Sequence, residues 1–335
     1  MRDPRVSVLM CVYNGAAHLA TAMDSLLAQT FDDAEFVIVD DGSRDATQAI
    51  LTSYASRDRR VRVLQNGTNV GLTRALNRGL SACRGEYLAR LDADDVAAPE
   101  RLERQVAWLD RNPDVVLLGS AYHVLDAGGT PTEVHRQPLH DVEIRWQLLF
   151  HNAFCHSSVI LRRAALRKLA IPGYDETLPF SQDFDLWTRL GTQGRLANLA
   201  EPLVGFRVHD DTISSQRTEA QQQLADRISA REIQQVVPGF DMATVRKLRA
   251  WYYGFPTTLT ADDMPTCIAL LRLLEAMPAR ERDDGPIRRA LRNRWLGRVR
   301  SALPRRLLFS AIRLLWRQLG RSNAIWALAF GIAKS

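Results

Sequence analysis

The 335-residue chain has little cysteine, only Cys11, Cys83, Cys155 and Cys267, widely spaced and without a CxxC pair. That pattern argues against a disulfide framework or a structural zinc site and for reduced thiols in a cytoplasm. No stretch of about 20 residues stays apolar enough to span a bilayer. No basic-then-apolar leader opens the chain, because Met1 to Arg5 run straight into a strand-like segment. Internal repeats and low-complexity segments are missing as well. What remains, 46% hydrophobic and 24% charged residues, is ordinary for a globular protein and argues against disordered, collagen-like and polytopic membrane chains. At about 100–200 residues per domain, the length suits two domains or one large domain with additions.

Acidic residues are absent from the C-terminal end. From Gly285 to Ser335 there are eleven arginines, one lysine and no acid, so this segment carries +12 while the whole chain carries only +6. Residues 1–284 are therefore net −6, and the basic character belongs to the tail rather than to the body.

The first half alternates short apolar runs with segments of helical period. Val6–Val12 reads as a buried strand ending in Tyr13-Asn14-Gly15, and Leu19, Ala22, Met23, Leu26 and Leu27 share one helical face. Further strands are expected at 36–39, 61–64 and 87–91, with helices between them at about 44–57 and at Leu72–Ala82. This alternation predicts βαβ units and a mostly parallel sheet covered by helices on both faces. Ligands of such sheets sit outside the carboxyl ends of the strands. Three expected strands end in polar clusters, Tyr13-Asn14, Asp40-Asp41 and Asp92 to Asp95, which would converge on one crevice.

Beyond Pro99 the pattern predicts a helix carrying Leu102, Val106 and Leu109 and a strand at 115–120. A hairpin turn at Gly128-Gly129, a helix over 140–150 and a strand over 156–161 follow. A helix begins at Asp183, short strands fall at 196–199 and 203–208, and nearly everything beyond Ser214 reads as helix.

The strongest local signal is Leu91-Asp92-Ala93-Asp94-Asp95. Carboxylates crowded at a strand end repel one another unless a cation neutralises them. Oxygen ligands suit Mg²⁺ or Mn²⁺, which share their shells between one or two carboxylates and substrate phosphates. A divalent ion on Asp94, with Asp92 nearby, bridging a diphosphate is one reading, and a solvated acidic turn is the other.

This run, its flanks Gly85-Glu86-Tyr87-Leu88-Ala89-Arg90 and Pro99-Glu100-Arg101-Leu102, and several other segments resemble the family 2 glycosyltransferases of the GT-A fold. Upstream the likeness includes Val6–Val12 with Tyr13-Asn14, Val39-Asp40-Asp41-Gly42-Ser43 and Asn69-Val70-Gly71-Leu72-Thr73-Arg74-Ala75-Leu76-Asn77. Downstream it includes Val116-Leu117-Leu118-Gly119-Ser120, His156-Ser157-Ser158, Gln182-Asp183-Phe184-Asp185-Leu186-Trp187 and Phe206-Arg207-Val208-His209, so that about residues 5–215 are covered.

The resemblance implies a nucleotide-diphosphate sugar in the crevice, with Val12 and Tyr13 lining the base, Asn14 among the nucleotide-sugar contacts and Asp40 accepting from a uracil-type imide. It places Arg74 near the base or diphosphate, although a surface arginine on a helix is the plainer reading. Asp92 would meet the ribose and Asp94 the metal, Mn²⁺ or Mg²⁺. Asp95 would either support the metal site or contact the sugar. Asp183 is the expected general base of an inverting transfer, taking a proton from the acceptor hydroxyl, and its place at a helix start also suits an N-cap. The family usually has Glu-Asp where this chain has Gln182-Asp183, a departure on the acceptor side. His209 is a candidate contact to metal or diphosphate, or a structural histidine. His156 is an acceptor-side candidate or a satisfied core histidine, and Trp187 reads as core.

The tail mixes arginine with Leu, Trp, Ile and Phe over residues 287–321. It suits a helix lying on an anionic membrane surface, or an amphipathic helix packed on the body or on a second copy. No nucleic-acid motif accompanies the charge.

Together these features predict a GT-A catalytic domain over 1–215, a helical extension over 216–284 and a basic amphipathic tail over 285–335. The expected activity is metal-dependent, inverting transfer from a nucleotide sugar, UDP-linked by preference, to a glycan or lipid-linked acceptor in cell-surface polysaccharide synthesis. The expected place is the inner face of the plasma membrane. The alternatives are a degenerate sugar-nucleotide-binding scaffold, and a sugar-nucleotide nucleotidyltransferase, whose glycine-rich basic loop after the first strand is missing here.

Overall fold

The run VSVLMCV is buried at every position in β1 (Val6–Val12), as expected of a strand covered on both faces. The computed structural model describes residues 2–208, 219–276 and 284–304. After β1 come α1 (Ala16–Leu27), β2 (Ala34–Asp40), α2 (Thr47–Arg57), β3 (Val61–Gln65), α3 (Leu72–Ala82), β4 (Tyr87–Arg90) and β5 (Val96–Ala97). The chain continues through α4 (Arg101–Arg111), β6 (Val115–Leu125), β7 (Pro131–His135), α5 (Asp141–Leu148), β8 (Ile160–Arg162), α6 (Arg163–Arg167), α7 (Gln182–Leu190) and β9 (Arg195–Arg207).

The strand order is β3-β2-β1-β4-β8-β6-β9-β5, with β7 paired to β6. The expected parallel pairing holds over β3-β2-β1-β4, where Val12 lies opposite Asp40 and Leu9 opposite Arg90. Beyond β4 the sheet is mixed. β8 runs antiparallel to both β4 and β6, while β6 and β9 are parallel. Leu19, Ala22, Met23 and Leu26 of α1 are buried at spacings of three and four residues, which seats that helix on the sheet. Where α3 crosses β1 and β2, a Cβ on Gly79 would lie 2.2 Å from Leu9 Cδ1, so a larger residue there would have to displace the Leu9 side chain.

Three sequence expectations change in detail. The strand expected over 156–161 begins only at Ile160; His156–Ser158 is a 3-10 turn, closed by Ser158 donating its N–H and its hydroxyl to Cys155 O. The strand at 115–120 continues to Leu125, through register shifts around Ala121. The two short strands at 196–199 and 203–208 are one element, β9, which absorbs Pro202 at those same irregularities, since proline cannot donate to a ladder. The turn at Gly128-Gly129 does join an antiparallel pair, β6 and β7.

The chain divides into two compact units, Met1–Ile144 with Asn152–Leu224, and Arg145–His151 with Ala225–Ser335. The second unit contains α8 (Glu219–Val236) from Ala225 onward, α9 (Met242–Tyr253), α10 (Met264–Ala276) and α11 (Asp284–Ala302). Its core is aromatic. Trp295 packs edge-on to Trp146 and stacks on Tyr252, which in turn stacks on Phe150. Leu291, Trp295, Leu296 and Val299 of α11 are buried, so the apolar face of this part of the basic tail is already used inside its own unit. Arg289, Arg294, Arg298 and Arg300 remain exposed. The rest of the expected tail helix, residues 305–321, lies outside the described residues. Among the described residues, no helix is long and apolar enough to cross a membrane.

Candidate active site

The C-terminal ends of β1, β2 and β4 lie at one edge of the parallel strands, so the three polar clusters meet there. β1 ends at the buried Val12; Tyr13 follows, 47% exposed. Asn14 then takes a left-handed backbone at φ 50°. Its N–H donates to Ser43 Oγ at 2.9 Å and its Oδ1 accepts from Arg44 N at 2.8 Å, locking the two strand-end loops together. Asp40 is buried and accepts from Ser43 N at 3.0 Å.

The neighbouring Asp41 gathers a different loop. It accepts from Asn66 Nδ2 at 2.5 Å and from the N–H groups of Val70 and Gly71 at 3.0 Å each. Gly42, at φ +77°, lets that loop approach, because a Cβ there would lie 2.6 Å from the Thr68 carbonyl carbon. These bonds place the start of α3. Arg74, on its first turn, is 65% exposed at the side chain, with Nε 3.6 Å from Glu176.

Asp92 follows β4 and pairs with the buried Arg90 guanidinium. Its Oδ2 accepts from Ser157 Oγ at 2.9 Å, and its N–H donates to the same hydroxyl at 3.0 Å. Burial opposes ionisation of Asp92, but Arg90, then His156 and Ser157, outweigh it and hold its pKa below the ordinary carboxylate value. Asp95 is placed oppositely. Oδ1 accepts from Arg207 N at 2.8 Å, while Oδ2 is buried with no hydrogen-bond partner among the described residues. The one proton of the Ser157 hydroxyl goes to Asp92. Burial, then the charges of Asp92 and Asp94, push the Asp95 carboxyl well above its usual range.

Arg207 braces the turn from behind. Nε donates to Asp94 O at 3.0 Å and Nη1 to Ala127 O at 3.0 Å. It therefore ties the acidic turn to the β6–β7 hairpin.

The acceptor-side candidates adjoin this cluster. His156 Nδ1 lies 3.9 Å from Asp92 Oδ2, and Nε2 is 2.8 Å from Tyr174 Oη. Burial, then Arg90, lower the pKa of His156 against the pull of Asp92 and Asp183, which favours the neutral ring. Tyr174 is itself fixed by α3, since its N–H donates to Asn77 Oδ1 at 2.9 Å and its carbonyl accepts from Asn77 Nδ2 at 2.9 Å.

α7 starts after Ser181, whose φ of 57° is left-handed. Asp183 therefore lies inside the helix, and the N-cap expected of it falls instead on Ser181. Asp183 Oδ1 accepts from Phe184 N at 2.8 Å and Oδ2 from Asn152 Nδ2 at 2.6 Å. Gln182 and Trp187 are buried, with the Trp187 ring 6.0 Å from that of His156. His209 lies outside the described residues. Among those described, no three His, Cys, Asp or Glu side chains group as a ready metal site.

Sequence reasoning named Asp92, Asp95, His156 and Asp183, which the structure brings into one neighbourhood. It gave no role to Arg90, Ser157 or Arg207, although all three stand inside the motifs it singled out. Asn152 and Tyr174 carried no signal, because each acts through a partner distant in sequence.

Residues 7–170 match the glycosyl transferase family 2 model. The amylovoran biosynthesis glycosyltransferase AmsE of Erwinia amylovora is 32% identical over 215 residues, 63% of this chain and 79% of that protein. The chain belongs to glycosyltransferase family 2.

Solved structures agree on the fold. Residues 1–349 of TarS from S. aureus, in complex with UDP-GlcNAc, superpose with a TM-score of 0.59 at 19% identity, covering 99% of this chain and 93% of that one. Against the longer TarS chain the TM-score is 0.56 at 20% identity, covering 97% of this chain and spanning 54% of that one. The mannosyltransferase PcManGT from Pyrobaculum calidifontis, in complex with GDP-Man and Mn2+, gives a TM-score of 0.50 at 17% identity, covering 99% of this chain and 80% of that one. This family 2 transferase thus has a GT-A fold followed by a helical C-terminal region.

All four of its cysteines are free and buried. Burial pushes the thiols of Cys11, Cys83 and Cys267 up to about 12, and that of Cys155 upward too.

Proposed function

We propose that this chain is a metal-dependent, inverting glycosyltransferase that moves a sugar from a UDP-linked donor to a glycan or lipid-linked acceptor in cell-surface polysaccharide synthesis. The observation that carries this reading is the convergence of the Asp92 to Asp95 turn with an anchored carboxylate, Asp183, across His156. We keep residues 1–215 as the catalytic domain, which acts at the inner face of the plasma membrane. The exposed arginines of α11 would face anionic lipid there.

In this reading Val12 and Tyr13 line the base, Asn14 is among the nucleotide-sugar contacts and Asp40 accepts from the imide N–H. Each oxygen of Asp92 keeps a lone pair for a ribose hydroxyl beyond its present bonds. Asp94 would hold Mn²⁺ or Mg²⁺ with the diphosphate completing the shell. An all-oxygen donor set beside the unpartnered Asp95 Oδ2 suits such a hard cation. When bound, the ion offsets negative charge on the departing nucleoside diphosphate.

Asp183 takes the proton of the acceptor hydroxyl as that oxygen bonds to the anomeric carbon. The bond from that carbon to the diphosphate breaks on the opposite face, and its electron pair leaves with the nucleotide. Attack opposite the leaving group inverts the anomeric centre. His156, held neutral, and Gln182 would border the acceptor.

The test is calorimetric titration of the folded protein with UDP, GDP, dTDP and CDP, with and without Mn²⁺. The expected result is metal-dependent binding of one nucleotide, UDP, that is lost in Asp94→Ala. No binding of any nucleotide would overturn the proposal.

A further inference from the structure

Asp183 accepts two hydrogen bonds among the described residues, and they differ in kind. The bond from Phe184 N is to the adjacent residue and comes with the helix. The other comes from Asn152, 31 residues away, at 2.6 Å. Only the second ties the carboxylate to a separate part of the fold.

The orientation of the Asn152 amide is set by its other end. Oδ1 accepts from Phe154 N at 3.1 Å, an Asx-type turn, so Nδ2 is the end that faces Asp183. The short distance is that of a hydrogen bond strengthened by a charged acceptor. Asn152 also opens the segment that turns into His156 and Ser157, which contact Asp92. The two sides of the site are thereby tied to one stretch of chain. The left-handed Ser181 fixes the backbone entry of α7 and the Phe184 N–H holds Oδ1, so the Asn152 bond is what fixes the second carboxylate oxygen.

We propose that Asn152 is a positioning residue of this transferase, holding Asp183 by one carboxylate oxygen in the geometry for taking the acceptor proton. The inference rests on Asp183 being the base. One lone pair on each Asp183 oxygen stays available beyond the two bonds, so the anchor does not consume the capacity to accept a proton. A displacement of about 1 Å in such a group is enough to cost about a hundredfold in rate.

Two variants separate this role from a structural one. Asn152→Asp keeps an oxygen to accept from Phe154 N but replaces the donor with a second carboxylate facing Asp183. Asn152→Ala removes both bonds. Crystal structures of the two, with rates of UDP release from the bound UDP-sugar with water as acceptor, give the readouts. The expected result is an Asp183 side chain that leaves its present position in both. The turnover number should fall about tenfold in Asn152→Ala and about a hundredfold in Asn152→Asp, with KM for the sugar nucleotide changed less than about twofold.

An Asp183 that stays in place in both crystals would overturn the proposal. So would an Asn152→Asp variant that turns over within about twofold of the natural protein, or one whose loss falls on KM. Failure of the underlying base assignment looks different: Asp183→Asn would then retain turnover, whatever the Asn152 variants did.

Discussion

Glu35, near the start of β2, and Asp95, beyond the end of β4, are both buried carboxylates at opposite edges of the same parallel strands. Glu35 is saturated with partners. It accepts from Ser7 Oγ at 2.7 Å, Arg62 at 2.7 Å, Arg84 Nη2 at 2.7 Å and Arg84 N at 2.8 Å. Burial works against its charge, yet these bonds bring its pKa down to about 2. Asp95 has one backbone N–H and two neighbouring negative charges, and its pKa goes the other way. Burial is common to both, so the partners decide the outcome. A fully bonded carboxylate is part of the scaffold, whereas an under-bonded one among like charges marks a place built to receive something else.

That contrast can be broken by substitution, and the largest effect is expected at the site edge. Asp183→Asn should lower turnover about a thousandfold, within the range for loss of a general base. Nucleotide affinity, measured by calorimetry, and the thermal midpoint should barely change. A variant that unfolded instead would place Asp183 with the scaffold carboxylates.

At the opposite edge the signature should reverse. Glu35→Ala leaves the Ser7 hydroxyl and the Arg84 guanidinium without their acceptor and takes one of two from Arg62 and from Arg84 N, which keep Ala82 O and Ser7 Oγ. Removing one member of a buried pair costs about 3–5 kcal/mol, reduced here because Arg62 and Arg84 are 36% and 50% exposed at the side chain. A loss of about 2 kcal/mol by urea unfolding is expected, with turnover per folded molecule intact. The pH dependence has a definite sign. The native carboxyl, at about 2, lies below its ordinary 4.5, so its contribution is present above pH 4.5 and fades as pH falls toward 2. Glu35→Gln should flatten the stability profile across that window.

Asp95→Asn gives a smaller effect of opposite sign. Its remaining carbonyl can still accept from Arg207 N, while repulsion from Asp92 and Asp94 disappears. The metal-free protein should gain about 1 kcal/mol in thermal unfolding while losing turnover. Equal loss of stability and activity would erase the distinction between the two edges. Smallest of all, Arg74→Ala should change stability by less than about 0.5 kcal/mol, as befits an exposed pair. Any weakening of UDP binding, about threefold by calorimetry, would place its guanidinium at the nucleotide.

These predictions start from features of unequal visibility in the sequence. The edge that gathers Asn14, Asp40 and Asp92 was legible because continuous apolar runs mark β1, β2 and β4, and parallel strands bring like ends together. The mixed half of the sheet was harder to read. β5 is two residues long and β8 three, too short to show a period, and His156–Ser158 looked like strand until Ser157 and Ser158 were committed to tertiary and turn hydrogen bonds. Within the site, Asp183 is announced by its motif. Asn152 is an ordinary loop asparagine until a residue 31 positions later is folded against it. The N-cap was misplaced by two residues because Ser181 adopts a left-handed backbone that serine seldom takes.

The buried thiols have a practical consequence. Alkylating reagents attack thiolates, and four cysteines that are buried and hold their protons at neutral pH offer them almost nothing. The natural chain should therefore serve as a cysteine-free background for labelling. A single Arg74→Cys substitution on the exposed first turn of α3 would then carry a fluorophore at one known position, and donor binding could be followed in real time without engineering the core.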